Sequence, residues 1–206
     1  MEELKTIELI IDESNDKYEV DAISLVESPA IEEDFIALSK EEVRFKAIDE
    51  DKKILVGLAL VPDKKILRSN EQGLYNIIMS KETVKKAAHL YLKRLKLNNA
   101  TLEHESDVSG VSVVESWMVE DVAMDKLNLY GVKPIEGAWA VIMKVDNEDV
   151  WNDVKLGKYL GFSIEGVFKP VEMQENLSKD LTDEELIKEM SEYLKSKEDL
   201  TSNRLQ

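Results

Sequence analysis

Hydrophobic and polar positions alternate with a strand-like period over much of the first half of the chain. LKTIELIID (4–12) and YEVDAISLV (18–26) are rich in β-branched and aromatic residues and flank the turn-forming ESNDK. ESPAIEEDFIALS (27–39) breaks the pattern at Pro29 and reads as a connection. VRFKAID (43–49) and KILVGLALVP (53–62) flank an acidic turn and form a candidate hairpin, and LYNIIMS (74–80) reads as another strand. The period then lengthens. Val84, Ala87, Ala88, Tyr91, Leu92 and Leu95 recur at helical spacing behind Ser80, a residue type that caps helix N-termini.

Strand patterns return at NATLEH (99–104), VSVVESWMV (111–119) and GAWAVIMKV (137–145). NEDVWNDVKL (147–156) reads as a short helix, with Asp146 as its N-cap and Gly157 as its stop. LGKYLGFSIEGVFKP (156–170) closes this part of the chain as a strand. Beyond Lys169-Pro170 the composition turns polar. Thr182 and Glu185 then make a capping box before Leu186, Ile187, Met190, Tyr193 and Leu194, which form an apolar stripe. The predicted organisation is a domain over 1–170, followed by a polar linker and an acidic amphipathic helix over 171–206. Strand and helix do not alternate regularly, which argues against a doubly wound sheet. The expected class is mainly β with inserted helices (α+β), with a barrel or sandwich-like core.

Composition narrows the function classes. The 206 residues carry a net charge of −16, so a basic footprint for nucleic acid is missing. The Lys/Arg-rich VKKAAHLYLKRLK (84–96) reads as the solvated face of a helix. No apolar run is long enough to span a membrane, and the N-terminus shows no basic-then-apolar signal pattern. There are no cysteines, which removes disulfides and thiolate nucleophiles.

Candidate chemistry centres on one serine. Gly161 and Gly166 bracket Ser163 inside a strand pattern, and strand glycines mark bulges or close approaches. Leu160, Phe162, Ile164 and Phe168 share one parity, so Ser163 points away from the core: either a surface serine or a nucleophile on a cleft floor. The spacing Gly161-x-Ser163-x-x-Gly166, with strand continuing after it, differs from the nucleophile elbow of α/β-hydrolases.

A serine nucleophile needs a base, usually histidine. His89 lies among lysines off the apolar stripe and reads as solvated. His104 ends a strand. A tight turn at Ser109-Gly110 would set it opposite Glu115, with Cβ atoms about 5 Å apart, and a one-residue slip would break that pairing. The cluster Glu103, His104, Glu105, Asp107 lacks zinc-ligand spacing, and no phosphate-binding glycine loop is present.

Together, DAISLVESPAI, LVGLALVPDKKILR (55–68), HES with VVESWMVED (104–121), EGAWAVIMKV (136–145) and KLGKYLGFSIEGVF (155–168) resemble the XkdF-type phage serine proteases. These are similar to phage prohead maturation proteases and more distantly to herpesvirus assemblins. The resemblance implies a compact β-barrel surrounded by helices, and a catalytic His that precedes a catalytic Ser, matching His104 and Ser163. Assemblins use a second His after the Ser, and here no His follows position 104. A carboxylate is then the expected third member: Glu115 from the hairpin argument, with Glu165 and Glu172 as alternatives.

The resemblance further implies a cofactor-free serine endopeptidase in the host cytoplasm, inside the assembling procapsid. Its substrates would be scaffold and major capsid proteins and possible self-cleavage sites. Homodimerisation is part of the same expectation; direct nucleic-acid or membrane binding is not. The competing expectation is a non-catalytic β-barrel that binds capsid or scaffold subunits without cutting them.

Overall fold

A computed structural model describes residues 4–27, 46–49, 52–70 and 73–172. Among these residues twelve strands run in chain order: β1 (Thr6–Ile10), β2 (Glu19–Val26), β3 (Lys46–Asp49), β4 (Ile54–Leu60), β5 (Ile66–Asn70), β6 (Gly73–Ile78), β7 (Ala100–Leu102), β8 (Ser106–Val108), β9 (Val111–Met118), β10 (Trp139–Val145), β11 (Gly161–Val167) and β12 (Lys169–Glu172). The helices are α1 (Lys81–Lys93), α2 (Leu127–Tyr130) and α3 (Glu148–Lys155). The class is α+β and dominated by strand, as the alternation implies.

The strands form three four-stranded sheets, ordered β12-β1-β6-β5, β3-β4-β10-β9 and β11-β2-β7-β8. This corrects the expectation of a closed barrel: each ladder among the described residues stops at an edge strand. Register breaks accompany the openness. β10 shifts register against both its neighbours, and β11 shifts against β2 between Glu165 and Gly166. A bulge bends a strand and ends regular pairing.

The core explains why these residues fold this way. Ile23 and Leu25 of β2, Leu55 of β4, Val141 and Met143 of β10, Phe162 of β11 and Tyr91 of α1 share one buried cluster. Tyr91 meets Trp139 edge-on, with ring centroids 5.3 Å apart. Burying each such side chain contributes about 1.5–3 kcal/mol. Ser80 caps α1, accepting from the Thr83 amide through its hydroxyl. The buried side of α1 is Val84, Ala87, Ala88 and Tyr91, as its spacing implies, whereas Leu95 leaves the stripe: it is left-handed and exposed just past the helix.

Other expectations shift at boundaries. The N-cap of α3 is Asn147 rather than Asp146, because the Asn147 side chain accepts from the Asp149 and Val150 amides. The final strand does not run straight through to Pro170. The chain leaves β11 after Val167 and joins another sheet as β12, which pairs with β1 through Glu172. Pro170 is tolerated there because β12 is an edge strand. Val171 and Glu172, expected to open the linker, belong to β12, while the connection from 28 to 39 and the rest of the C-terminal linker and helix fall outside the described residues.

Candidate active site

The site is built on one face of the β11-β2-β7-β8 sheet. Ser163 of β11 pairs with Ser24 of β2, Ser24 pairs with Thr101 of β7, and Thr101 pairs with Asp107 of β8. Residues in register across a sheet share a face. Ile23, Leu25, Phe162, Ile164, Ala100 and Leu102 occupy the other face, against the core. The face carrying Ser163 therefore holds a row of hydroxyls, with Glu165 two residues along β11 on the same side. Ser24, Thr101 and Ser163 are the buried polar residues of this sheet.

His104 reaches this face from the turn between β7 and β8. Glu103 and His104 are both left-handed, with φ of 52° and 59°. Each such residue costs roughly 1–2 kcal/mol unless held by its surroundings. Here the hold is visible. The Glu103 amide donates to the Leu25 carbonyl at 3.1 Å, and the Glu105 amide to the Leu102 carbonyl at 3.0 Å. The Glu103 carboxylate accepts from the Glu27 amide at 2.6 Å. The His104 amide donates to Ser24 Oγ at 3.1 Å, and Ser24 Oγ donates onward to the Thr101 carbonyl at 3.3 Å.

With its backbone fixed in this way, the His104 ring places Nδ1 3.2 Å from Glu165 Oε1. The same carboxylate oxygen accepts from the Thr101 hydroxyl. Both partners are partly open to solvent, with side-chain exposures of 39% for His104 and 30% for Glu165. Ser163 is only 5% exposed. No hydrogen bond joins the His104 ring to the Ser163 hydroxyl among the described residues. Sheet register brings them to one face without closing that last contact.

Gly166 answers the question raised by the glycines around Ser163. A Cβ at that position would collide with the Glu19 carbonyl oxygen and come within 2.9 Å of Val20 Cα. This is where β2 carries one residue more than β11, since Glu165 pairs with Ala22 and Gly166 with Val20. The glycine admits the bulge just after Glu165.

Glu115 lies elsewhere. The hairpin that would set it opposite His104 is not formed, because β8 pairs back onto β7 and β9 pairs with β10. The chain crosses between sheets at Ser109-Gly110, where the Gly110 carbonyl accepts from the Asp146 amide at 2.6 Å and the Asn147 amide at 3.1 Å. The Glu115 carboxylate instead ion-pairs with Lys126, whose ammonium sits 3.8 Å from the centroid of the Trp117 ring. Glu172 pairs with Lys5 at 2.5 Å, and that ammonium holds its carboxyl below the usual range. Of the three carboxylates considered, Glu165 is the one beside His104. Sequence reasoning passed over Ser24 and Thr101, because a polar residue between Ile23 and Leu25, or between Ala100 and Leu102, is what ordinary strand alternation gives, so no local signal marks them.

Residues 42–172 match the family model described as "Putative phage serine protease XkdF". The chain belongs to that family. The XkdF-family span contains His104, Ser163 and Glu165, whereas Ser24 on β2 precedes it. The chain is also similar to "Uncharacterized protein YqbD" of Bacillus subtilis (strain 168), at 28% identity over 171 residues. That match covers 79% of this chain and 49% of YqbD, so the chain spans about half the length of the curated relative it matches. No solved structure matches the chain, and the expected likeness to herpesvirus assemblins is not shown by these comparisons.

Among the described residues no group of three or more His, Asp or Glu side chains is placed to hold a metal ion. No described helix is long and apolar enough to cross a membrane.

Proposed function

We propose that this protein is a serine endopeptidase in which Ser163 is the nucleophile, His104 the general base and Glu165 the group that orients the base. The observation that carries the reading is the contact of His104 Nδ1 with Glu165, two residues from Ser163 on the same sheet face. A carboxylate accepting from Nδ1–H leaves Nε2 unprotonated, which is the tautomer that can take a serine proton. Ser163 Oγ would then attack the scissile carbonyl as its proton passes to Nε2. The imidazolium, stabilised by Glu165, returns that proton to the leaving amine. Water repeats the cycle on the acyl-enzyme and releases the second product. A modest swing of the half-exposed ring on substrate binding completes the contact with Ser163, since such hydrogen bonds are often open before substrate arrives.

Membership of a phage serine protease family supports the reaction class. On this reading the substrates are phage scaffold and capsid proteins, met inside an assembling procapsid in the host cytoplasm. Self-cleavage belongs to the same reading. No cofactor takes part in the scheme.

The deciding experiment is intact mass over time on concentrated protein, beside Ser163→Ala and His104→Ala, together with labelling by a fluorophosphonate. Defined fragments and a label on Ser163 in the parent, both lost in Ser163→Ala, are expected. Identical fragments in all three proteins, or a label carried by another serine, would remove Ser163 from the mechanism.

A further inference from the structure

We infer that Thr101 is a positioning residue that sets the orientation of the Glu165 carboxylate toward His104, with Ser24 holding the other end of the same assembly. The inference rests on the His104–Glu165 couple of the proposed function but is tested apart from it. A carboxylate on an open strand can rotate about its last bonds and share itself between water and any nearby donor. Here the Thr101 hydroxyl donates to Glu165 Oε1, the oxygen that also faces His104 Nδ1. A carboxylate only accepts hydrogen bonds, so the hydroxyl proton must point at Glu165. That bond fixes one oxygen where the imidazole needs it.

The clamp has a second arm. Ser24, in register with Thr101 on the neighbouring parallel strand, accepts the His104 amide and donates to the Thr101 carbonyl. Ring and carboxylate are thus tied to adjacent sheet positions. The ring is tied through the backbone of a left-handed turn, and the carboxylate through a side-chain hydroxyl. Thr101 and Ser24 are 5% and 0% exposed, so water does not readily replace either hydroxyl. Neither touches the reacting atoms in the scheme above, and their effect is transmitted through His104 and Glu165.

The chain holds two histidines, and His89 is exposed on α1, which makes the test clean. Long-range ¹⁵N–¹H spectra report which ring nitrogen carries the proton, and His89 serves as an internal reference. The parent is expected to show His104 protonated on Nδ1 while neutral. Thr101→Val keeps the shape and the strand preference but removes the hydroxyl. It should move His104 toward a mixture of tautomers, leave His89 unchanged, and slow fluorophosphonate labelling of Ser163 by roughly ten- to a hundredfold, the scale of one lost charge-assisted hydrogen bond. Thr101→Ser, which restores a hydroxyl, should recover the parent spectrum and most of the rate.

An unchanged His104 tautomer in Thr101→Val overturns the inference, as does an Nε2-protonated His104 in the parent. A change in the His89 signals together with those of His104 would mean general unfolding, and would also overturn it. If the tautomer shifts as expected while Ser163 never labels, Thr101 keeps its positioning role and the protease reading falls instead.

Discussion

Glu165 and Glu115 occupy comparable places on paper: each lies on a strand, each is partly exposed, and each has a basic group in contact. Their surroundings separate them. Glu165 stands on a sheet face lined by hydroxyls, two residues from a buried serine, and its partners are an imidazole and a threonine. Glu115 stands on β9, paired with Lys126 in a group that also takes in Trp117 and, through the Trp117 indole, Asp125 at 3.1 Å. The first arrangement sets an imidazole, a side chain able to accept and return a proton, beside a carboxylate and a hydroxyl. The second is an ion pair packed on an aromatic ring, with no imidazole or hydroxyl in contact with the carboxylate. A carboxylate near a histidine in sequence is therefore a poor guide; the sheet each strand joins decides.

The contrast can be broken most directly at the two carboxylates. Glu165→Gln should lower the rate of Ser163 labelling by roughly 10³–10⁴-fold, the scale seen when the acid of a triad is neutralised. Glu115→Gln should change that rate less than about twofold, because an exposed ion pair contributes only about 0–1 kcal/mol, and to stability rather than to chemistry. A large loss in Glu115→Gln with none in Glu165→Gln would reverse the assignment. Parallel labelling time courses on the two variants and the parent decide it.

The next effect is on the frame that carries Glu165. Gly166→Ala forces a methyl against the Glu19 carbonyl, and β2 must shift to admit it. A loss of about 2–3 kcal/mol in unfolding free energy is expected from such overpacking, read as a lower urea midpoint. A midpoint within error of the parent would mean that the bulge is pliable.

Ser24→Ala should cost roughly 1–2 kcal/mol, since it strands the His104 amide. The equivalent change at Ser112, whose hydroxyl donates to exposed Asn98 on the β9 side, should cost less than about 0.5 kcal/mol. Equal costs at the two serines would deny the hydroxyl-lined face any special strength.

The smallest effect concerns a carboxylate away from both regions. Asp12 is held down to about 2 from its ordinary 3.8, first by the Ser14 hydroxyl and then by Lys169. A depressed carboxylate stabilises the fold above its ordinary value, and the contribution fades as pH falls through the folded value. The melting temperature should therefore drop between about pH 4 and pH 2 more steeply in the parent than in Asp12→Asn. Matching slopes would show that other carboxylates govern acid unfolding.

Much of the scaffold was legible in the sequence. Parity alone sends Phe162 and Ile164 to the core and Ser163 away from it, and helical spacing with Ser80 marks α1. β5 escaped notice because ILRSN is half polar and its last three residues are exposed, leaving no alternation to detect. β8 and α2, of three and four residues, are shorter than any periodicity. The hairpin between His104 and Glu115 failed for a different reason. A turn at Ser109-Gly110 does exist, but it passes the chain between sheets, and only distant pairing with β7 and β10 determines that. Glu165 was visible as a same-face neighbour of Ser163. What singles it out is a threonine and a histidine some 60 positions away, which no local pattern records.

The parallel pairing of β2 with β7 has a temporal side. Ser24 meets Thr101 across 77 positions and His104 across 80, and Thr101 meets Glu165 across 64. Contacts of such span must wait for large loops to close, so they form slowly and late. A nascent chain that has not yet extended past β11 lacks both Ser163 and Glu165, and a chain that has done so still needs the β2–β7 ladder before His104 is seated. The assembly is therefore withheld until nearly the whole described fold is in place, a timing written into the strand order itself.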